Sequence, residues 1–592
     1  MTFPGYRRAL RILARHIPRH RSQQLVGLAV LTVASTLAEL LSISAAFPFL
    51  AVIAEPERLY DLPAAEPLIA FLGAEGPQDL IAPLCLLFAA AVIMAGALRL
   101  TLIWTQSRLS HLIGIDLAVE IFYRTLYQPY SVHAARNSSR TISVIMGKSM
   151  RLVTGFMLPL FQILAAATLM VLAMGTLLLF VPGVALSLVG GIAAVYGLTA
   201  LVLLRPIAHN GTTIAREMPR TMQALQEGLG GIRDVLLDGS QPLHVARFAR
   251  SVRLQRLATA DNVVMGMAPR YVVETIGIVL IVIVAYVLVT GEGRLQTALP
   301  VLGAVALAAQ RLLPVAQQAY NAWTQIRGAQ AVIGECLSYL EQPTRAGDTG
   351  LPPPPLPFER DIRLEGVSLS YASSERPALD AVDLVIERGT RIGIVGPTGS
   401  GKSTLADVLM GLIVPDAGQM RVDATPIDDV TRRAWQRRIA HVPQAIFLTD
   451  ASLAENIAFS EEPDRIDRAR LARAVAQAQL GTTVAELPQG LETVVGERGV
   501  RLSGGQRQRI AIARALYREA DVIVFDEATS ALDTRTETRV MEAIAGLDRN
   551  LTLIMIAHRL TTLRDCDRIL RIEAGRIVAT GTPEEMLDID PH

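Results

Sequence analysis

The chain has 592 residues, of which 51% are hydrophobic and only 19% are charged, and its formal net charge is +1. This composition is too apolar for a soluble protein of this length and indicates extensive membrane-embedded segments. Cys85, Cys336 and Cys566 lie far apart in the sequence, which excludes a disulfide framework and a cysteine metal cluster. The net charge averages two unlike halves, so the location of the charges is more informative than their sum.

The N-terminal 20 residues alternate apolar and basic side chains and lack the apolar core and cleavage site of a signal peptide. They predict an amphipathic helix that lies in the membrane interface and leads into the first span. Six apolar runs follow, each near the roughly 20 residues that a spanning helix needs. We predict spans at about 25–53, 80–104, 152–181, 184–204, 263–289 and 298–320.

The charged residues are distributed unevenly around these predicted spans. Arginines precede the first span and fill the connections between the second and third spans and between the fourth and fifth, whereas the connection after the first span is acidic. Because positive charge concentrates on the cytoplasmic side of membrane proteins, we expect both termini and the two basic connections to be cytoplasmic. Both connections are long and helical in composition, which predicts that the spans continue beyond the membrane.

A proline-rich segment at 351–357, with the sequence LPPPPLP, predicts a stiff extended spacer. We therefore divide the chain into a transmembrane domain at 1–340, a linker at 341–358 and a second domain at 359–592. The motifs that carry chemistry lie in this second domain.

The first of these motifs is a phosphate-binding loop between a strand-like run at 391–395 and a helix-like run that begins after Ser403. Its glycines let backbone N–H groups point inward at a helix N-terminus, where partial positive charge favours phosphate. Lys402 is predicted to reach the β- and γ-phosphates, and Ser403 is predicted to bind Mg²⁺. The predicted nucleotide-binding residues are Gly396, Pro397, Thr398, Gly399, Ser400, Gly401, Lys402, Ser403 and Thr404.

A second strand-like run, Asp521–Phe525, ends in Asp526 and Glu527. Such a strand can place Asp526 near a metal ion and Glu527 near an attacking water, the division of roles that phosphoryl transfer requires. Between the two motifs, Leu502–Gln506 opens a helix with a serine and two glycines, which is another anion-binding helix start. Since the first loop already holds the nucleotide of this chain, the second is predicted to serve a nucleotide held by another copy.

With these residues in this order, the segment from about residue 361 to the C-terminus resembles the nucleotide-binding domain of ABC transporters. Leu502–Gln506 matches the family signature LSGGQ, which in that family closes over the phosphate-binding loop of the opposite subunit. The resemblance implies that Tyr371 stacks on adenine. It also implies nucleotide contacts from Ser503, Gly504, Gly505 and Gln506.

The same resemblance assigns catalytic and metal-binding roles. Gln444 matches the glutamine that senses Mg²⁺ and the transmembrane domain, Asp526 matches the metal-binding aspartate, and Glu527 matches the catalytic base. His558 matches the switch histidine that contacts the γ-phosphate, and 530–533 matches the D-loop. The implied catalytic residues are thus Glu527, His558 and Gln444, and the implied metal ligands are Ser403, Gln444 and Asp526. None of these positions is degenerate, so we expect an ATP hydrolase that uses ATP and Mg²⁺.

We therefore predict an α-helical membrane domain with six transmembrane helices followed by a cytoplasmic α/β P-loop ATPase domain of the ABC type. Without an internal repeat, one chain is a half-transporter and needs a second copy, most simply as a homodimer. The Pro and Gly breaks at Gln128–Tyr130 and Gly228–Gly239 resemble the coupling-helix turns of ABC exporters, with ordinary loop breakers as the alternative. The expected location is the bacterial cytoplasmic (inner) membrane.

The segment Ala38–Leu50 and the acidic region after it, with the helix-like Glu66–Leu72, resemble bacterial lipid-linked oligosaccharide flippases. This resemblance implies flipping or export of a lipid-linked oligosaccharide or glycolipid by alternating access. An exporter of hydrophobic drugs or peptides and another lipid flippase are the alternatives, and the intact catalytic residues argue against a nucleotide-gated channel or a regulatory membrane protein. The expected partners are the membrane, the lipid substrate and a second copy, with no nucleic acid.

Charged residues inside predicted spans are costly in lipid and normally face a cavity or one another. Four residues meet this description: Glu39, Arg99, Glu274 and Arg311. An arginine that faces a cavity can bind the pyrophosphate of a lipid carrier through its planar fork of donors. The alternative is structural pairing of the carboxylates with arginines of neighbouring helices.

Overall fold

The computed structural model of the protein describes residues 3–54, 81–180, 182–290, 295–343, 353–371, 376–496, 499–527, 534–557 and 560–589. The chain forms two compact units, one of Met1–Leu126 and Arg136–Pro343 and the other of Tyr127–Ala135 and Thr344–His592. Tyr127–Ala135 therefore packs with the second unit although the sequence on both sides of it belongs to the first. The linear division with a linker at 341–358 stays a prediction.

All described elements of the first unit are helical. The α-helices are α1 (Phe3–His16), α2 (Arg19–Ala54), α3 (Ile81–Leu126), α5 (Ser138–Ile142), α6 (Ser149–Leu152), α7 (Leu158–Phe180), α8 (Pro182–Gly230), α9 (Ile232–Leu237), α10 (Gln241–Thr290) and α11 (Leu295–Leu340). Two π-helical turns, Ser143–Lys148 and Val153–Met157, flank α6. Helix α4 (Tyr130–Ala135) belongs to the second unit.

Four helices of the first unit are much longer than a bilayer requires. Helices α3 and α11 have 46 residues each, α8 has 49 and α10 has 50. At a rise of about 1.5 Å per residue they reach roughly 70 Å, more than twice the roughly 30 Å of a hydrocarbon core. These lengths agree with spans that continue beyond the membrane.

Within the described residues, three helical segments are long and apolar enough to cross a membrane: Arg19–Ser42, Ile81–Leu126 and Ser138–Gly175. The count of six spans stays a prediction, because the structure does not describe the side chains of parts of the other predicted spans. The predicted external segment with Glu66–Leu72 also lies outside the described residues.

An apolar stripe on α3 forms the centre of the helical unit. Ile113, Leu117 and Ile121 are spaced by four residues and are buried in one cluster with Ile333 and Leu337 of α11. This spacing places them on one face of α3, as close helix packing requires.

Polar contacts also connect the long helices of this unit. The buried Gln317 of α11 accepts a hydrogen bond from the Tyr196 hydroxyl of α8 at 2.9 Å and donates one to the Gly266 carbonyl of α10 at 2.9 Å. Lys148 is buried and pairs with Glu335 of α11, which also accepts from Arg140 at 2.9 Å.

The described residues of the second unit form two sheets. One is antiparallel with the order β2-β1-β4-β5, and the other has the order β10-β9-β3-β8-β7-β6. The strands are β1 (Asp361–Leu369), β2 (Leu379–Glu387), β3 (Arg391–Val395), β4 (Ala417–Val422), β5 (Thr425–Pro426), β6 (Ile439–Val442), β7 (Val522–Asp526), β8 (Thr552–Ile556), β9 (Arg568–Glu573) and β10 (Arg576–Gly581). Strands β6, β7, β8, β3 and β9 run parallel, so their carboxyl ends share one edge.

Apolar residues of helices and strands pack on both faces of this larger sheet. The helices of this unit are α12 (Lys402–Leu409), α13 (Arg432–Gln436), α14 (Leu453–Ile457), α15 (Arg468–Gln477), α16 (Gly481–Glu486), α17 (Gly504–Tyr517), α18 (Thr534–Ala545) and α19 (Pro583–Ile589). Strand β3 is buried at every position, and its residues divide between two apolar clusters on opposite faces of the sheet. The predicted α/β organisation of this part of the chain is confirmed.

Candidate functional site

The phosphate-binding loop leaves the carboxyl end of β3 and enters α12. Gly396, Gly399 and Gly401 have φ values of +152°, +79° and +108°, a region that glycine enters without steric cost. A Cβ on Gly396 would lie 2.1 Å from the Ile572 carbonyl oxygen, and one on Gly401 would lie 2.4 Å from that of Ala378. The loop geometry therefore requires glycine at both positions.

Lys402 reaches back over this loop from the first position of α12. Its Nζ donates to the carbonyl oxygens of Gly396 at 2.8 Å and Pro397 at 2.9 Å, which places the ammonium group inside the turn. Burial lowers the pKa of Lys402, and the carboxylates of Glu527 and Asp526 oppose this effect. The positive charge thus lies at the loop that is predicted to hold phosphate.

Two carboxylates lie at the end of β7, beside the end of β6. The Gln444 side chain donates from Nε2 to Oε2 of Glu527 at 2.7 Å. Burial raises the pKa of Asp526, with a further rise from Glu527 and a partial offset from His441. Glu527 has a φ of +48°, an unusual backbone conformation for a residue other than glycine, and its N–H donates to the Ile556 carbonyl at 3.0 Å.

The structure adds two titratable residues that the sequence reading missed. Asp407 lies on α12, where burial, together with the charge of Asp526, raises its pKa to about 6. His441 lies on β6, where burial lowers its pKa and Asp526 opposes that shift. His441 pairs with Val524 in the sheet, so it shares a face with Asp526 two residues further along β7. No spacing rule pointed to either residue, because their proximity depends on which strands are neighbours.

Tyr371 follows β1 and is partly exposed. Its hydroxyl lies 3.4 Å from Oγ1 of Thr404, a predicted nucleotide contact on α12. The structure therefore places the residue predicted to stack on adenine next to the helix that follows the phosphate-binding loop.

The signature motif forms the start of helix α17. Ser503 is the N-cap, its hydroxyl accepts from the Gln506 N–H at 3.2 Å, and the Gln506 side chain accepts from the Ser503 N–H at 2.8 Å. This capping box fixes the entry of the chain into the helix. Ser503 and Gly504 are exposed, so the helix start is accessible to a ligand.

Some predicted site residues lie outside the part of the chain that the structure describes. These are His558 and the matched D-loop at 530–533. The structure brings Lys402, Gln444, Asp526 and Glu527 together, and the roles of all the named site residues stay predictions.

The first predicted coupling turn is part of the second unit. Helix α3 ends at Leu126, Pro129 follows, and Tyr127–Ala135 packs with the second unit. The Arg433 guanidinium of α13 lies 6.0 Å from the ring centre of Tyr127. Burial raises the pKa of Tyr130, and Asp407, Tyr371 and Asp526 raise it further.

Two of the four charged residues in the predicted spans form an ion pair with each other. Arg99 of α3 and Glu39 of α2 form an ion pair at 2.6 Å, as the structural alternative expects. Glu274 lies 3.9 Å from Arg270, one turn earlier in the same helix. The side chain of Arg311 lies outside the described residues.

The residues present fit a nucleotide phosphate and a Mg²⁺ ion. Glycines at close-packed positions create a cradle that a Cβ would fill, and the buried Ser400 Oγ has no protein partner among the described residues. Ser403 is exposed beside Lys402, and Asp526 lies close enough to affect the pKa of Lys402. A hydroxyl, a carboxylate and an amide oxygen are hard ligands of the kind that Mg²⁺ prefers.

Two family models match the sequence. The model described as ABC transporter matches residues 379–530. The model described as ABC transporter transmembrane region matches residues 28–293. The two matches fall on the two kinds of structure that the chain contains.

Individual proteins are also similar to this chain. The ATP-dependent lipid A-core flippase of Alkalilimnicola ehrlichii is 35% identical over 413 residues, covering 67% of this chain and 68% of the relative. The flippases of the same description from Burkholderia orbicola and Ralstonia nicotianae are 34% and 42% identical, and the matches cover 63% and 39% of their lengths. The chain thus spans between about two-fifths and two-thirds of the length of these relatives.

A solved structure resembles the whole fold. A bacterial Atm1-family ABC exporter with ATP bound aligns over 96% of both chains with a TM-score of 0.77 and 25% sequence identity.

Proposed function

Because the chain belongs to the ABC transporter family, we propose that two copies form an ATP-driven transporter that moves a glycolipid or lipid-linked saccharide across the bacterial cytoplasmic membrane. The observation that carries the ATPase part is the hydrogen bond of 2.7 Å between Gln444 and Glu527. It joins Glu527, the predicted base, to the loop after β6. Lys402 lies after the loop that leaves β3 at the same edge of the sheet. The chain that holds this site also contains the long apolar helices of the first unit.

The phosphate-binding loop holds the nucleotide in this proposal. The N–H groups at the start of α12 and the ammonium of Lys402 bind the β- and γ-phosphates, while Tyr371 stacks on adenine. Mg²⁺, when bound by Ser403, Gln444 and Asp526, neutralises charge on the phosphates. Positioning and charge neutralisation account for most of the catalysis in phosphoryl transfer.

Glu527 acts as the base for the attacking water. Gln444 donates to Oε2 of this carboxylate, which in the ionised form accepts a proton from water as a general base. The hydrogen bond also sets the orientation of the carboxylate plane.

The second copy completes each site. Ser503 and its neighbouring glycines lie at an exposed helix start, which is suited to bind the γ-phosphate of a nucleotide held by the partner. A homodimer with twofold symmetry then contains two equivalent composite sites. The arginine-rich connections favour an orientation with both termini and the ATPase units in the cytoplasm.

The cargo proposal rests on the relatives and on the sequence of the first span. Three similar proteins are described as lipid A-core flippases, and a lipid A-core is a glycolipid. The earlier resemblance of Ala38–Leu50 to lipid-linked oligosaccharide flippases points to the same chemical class. Both kinds of substrate combine a saccharide, phosphate groups and long acyl or prenyl chains.

The ATPase part is tested with purified protein in lipid nanodiscs. Glu527→Gln should lower kcat by about 10²–10⁴-fold, the usual contribution of a general base, and should leave ATP binding intact. Lys402→Ala should instead weaken ATP binding by roughly ten- to a hundredfold, because it removes a charge-assisted contact. Wild-type turnover by the Glu527→Gln variant would overturn the role of Glu527.

The cargo is tested in proteoliposomes with headgroup-labelled lipids. We expect ATP-dependent movement of a lipid A-core analogue or a polyprenyl-pyrophosphate saccharide, and no movement with the Glu527→Gln variant as control. Transport of an amphipathic drug without movement of either glycolipid would favour the drug-exporter alternative and leave the ATPase proposal standing.

A further inference from the structure

Arg514 connects the signature helix to the segment that follows Gln444. It lies in the third turn of α17, where Nε donates to the Asn456 carbonyl at 2.8 Å and Nη1 donates to the Phe447 carbonyl at 3.1 Å. The guanidinium carbon also lies 4.5 Å from the ring centre of Phe459. One side chain thus contacts three places in the stretch between β6 and α15.

The environment of Arg514 is unusual for an arginine. Its described hydrogen-bond acceptors are carbonyl oxygens, including the Asn456 Oδ1 at 3.5 Å, and not carboxylates. Burial lowers the pKa of Arg514 to about 10. A desolvated arginine costs free energy unless its donors are satisfied, so this arrangement depends on the geometry of the carbonyl groups.

Asn456 stabilises the segment that Arg514 contacts. Its side chain is fully buried, Oδ1 accepts from the Thr449 N–H at 3.0 Å, and Nδ2 donates to the carbonyls of Thr449 and Ser452 at 3.1 Å. Phe447 and Thr449 lie three and five residues after Gln444, so the loop that carries Gln444 is tied at its far end to Arg514.

The other end of this connection is the signature motif. Ser503 caps the N-terminus of α17, and Arg514 lies eleven residues later on the same helix, about 16 Å along its axis. The helix has a satisfied capping box at its start and buried residues along its length, so it can transmit displacement as a rigid element.

We propose that Arg514 is a positioning residue that fixes the position of the loop after Gln444 relative to the helix start at Ser503 of the same chain. This inference rests on the proposed ATPase of a dimer, in which Gln444 serves the nucleotide of its own chain and Ser503 serves that of the partner. Arg514 then links the two composite sites through one chain, because a shift of the Gln444 loop is passed to α17. It contacts neither nucleotide and acts through Phe447, Asn456 and the helix.

Arg518, the C-cap of the same helix, provides a control. It is an exposed arginine whose guanidinium also donates to a backbone carbonyl, that of Gln436, at 2.7 Å. Gln436 lies in α13, before β6, so Arg518 does not contact the loop after Gln444. The pair therefore separates loss of an arginine-to-carbonyl hydrogen bond made from this helix from loss of the specific connection to the segment after Gln444.

The first test is hydrogen exchange of the full-length protein without nucleotide. In Arg514→Gln we expect the amides of 445–449 and of 504–507 to exchange about tenfold faster, whereas Arg518→Gln should leave both segments unchanged. Arg514→Lys, which keeps the charge but lacks the fork, should restore part of the protection. Unchanged protection of either segment in Arg514→Gln would overturn the proposal, and this result does not depend on any ATPase activity.

The second test is steady-state ATP hydrolysis. Arg514→Gln should lower kcat about tenfold with KM for ATP within about twofold, because Lys402 and Tyr371 lie on other elements. An equal loss in Arg518→Gln would show that general packing of α17 is responsible and would overturn the positioning role. An inactive wild-type protein would instead refute the proposed function, and hydrogen exchange would still decide the role of Arg514.

Discussion

Gln444 and Glu527 are 83 residues apart in the sequence, yet the Gln444 Nε2 lies 2.7 Å from the Glu527 Oε2. They meet because β6 and β7 are parallel neighbours, so the residues after their carboxyl ends share one edge of the sheet. This contact joins the loop tied to Arg514 with the predicted base of the ATPase.

Substitution of Gln444 should lower the rate of hydrolysis more than the affinity for ATP. Gln444→Ala removes the donor that orients Glu527, so we expect kcat to fall about tenfold, as for loss of one hydrogen bond to a charged group. Gln444→Glu would place two carboxylates together, which raises the pKa of the pair. The pH–rate profile of that variant should shift to higher pH, and an unchanged profile would contradict the orienting role.

The position of Ser503 predicts a specific outcome in mixed dimers. If Ser503 serves the partner's nucleotide, a dimer with Lys402→Ala on one chain and Ser503→Arg on the other keeps one intact composite site. A dimer with both substitutions on one chain has no intact site. ATPase measurements on the two engineered heterodimers distinguish this arrangement from one in which Ser503 serves its own chain, which gives the opposite pattern.

Ser503→Asn is the control for the helix cap. Asparagine is as good an N-cap as serine, so this variant should retain the thermal stability of the protein. A loss of stability equal to that of Ser503→Arg would show that the substitutions act through the helix and not through the nucleotide.

Asp407 predicts a pH dependence of stability in the absence of Mg²⁺ and nucleotide. Its pKa in the folded protein is about 6, above the ordinary 3.8, so the folded state binds this proton more tightly than the unfolded state. The contribution to stability is therefore full below about pH 4 and is lost as the pH rises towards 6. Asp407→Asn should raise the unfolding free energy by about 1–2 kcal/mol at pH 7.5, after discounting for partial exposure, and by nearly nothing at pH 4.

Thermal unfolding in EDTA across this pH range measures the effect. Asp464→Asn, at an exposed position in a short 3₁₀ turn, is the control and should not change the profile. A stabilisation by Asp407→Asn that is the same at both pH values would contradict the raised pKa.

The Glu39–Arg99 ion pair predicts non-additive substitutions in the membrane unit. Removal of one charge leaves the other unpaired, so Glu39→Gln and Arg99→Gln should each lower the unfolding temperature by a few degrees. The double substitution should recover most of that loss. Additive losses of unfolding temperature would show that the two side chains do not depend on each other. A separate measurement, the glycolipid-stimulated ATPase activity of the double variant, tests whether either charge also contacts cargo.

The sequence by itself determined the family, the class of each half and the local form of its motifs. The glycine spacing that identifies the phosphate-binding loop and the residues of the Ser503 cap each fall within about ten positions, and positive φ at glycine and capping chemistry act locally. The family models and the similar solved structure confirm the predicted family and fold class. Both could be predicted because long apolar runs and alternating strand and helix patterns are also local properties of the chain.

Only the tertiary structure decided which distant residues meet. Strand order brings His441 towards Asp526, and the placement of α12 after β3 brings Asp407 towards the same carboxylate. Helix packing places Arg514 against Phe447, and Glu39 pairs with Arg99 across two helices. Tyr127–Ala135 leaves the helical unit and packs with the ATPase unit. No local pattern specifies these contacts, since they follow from the order in which parallel strands and long helices assemble and from the free energy of burying their shared surfaces.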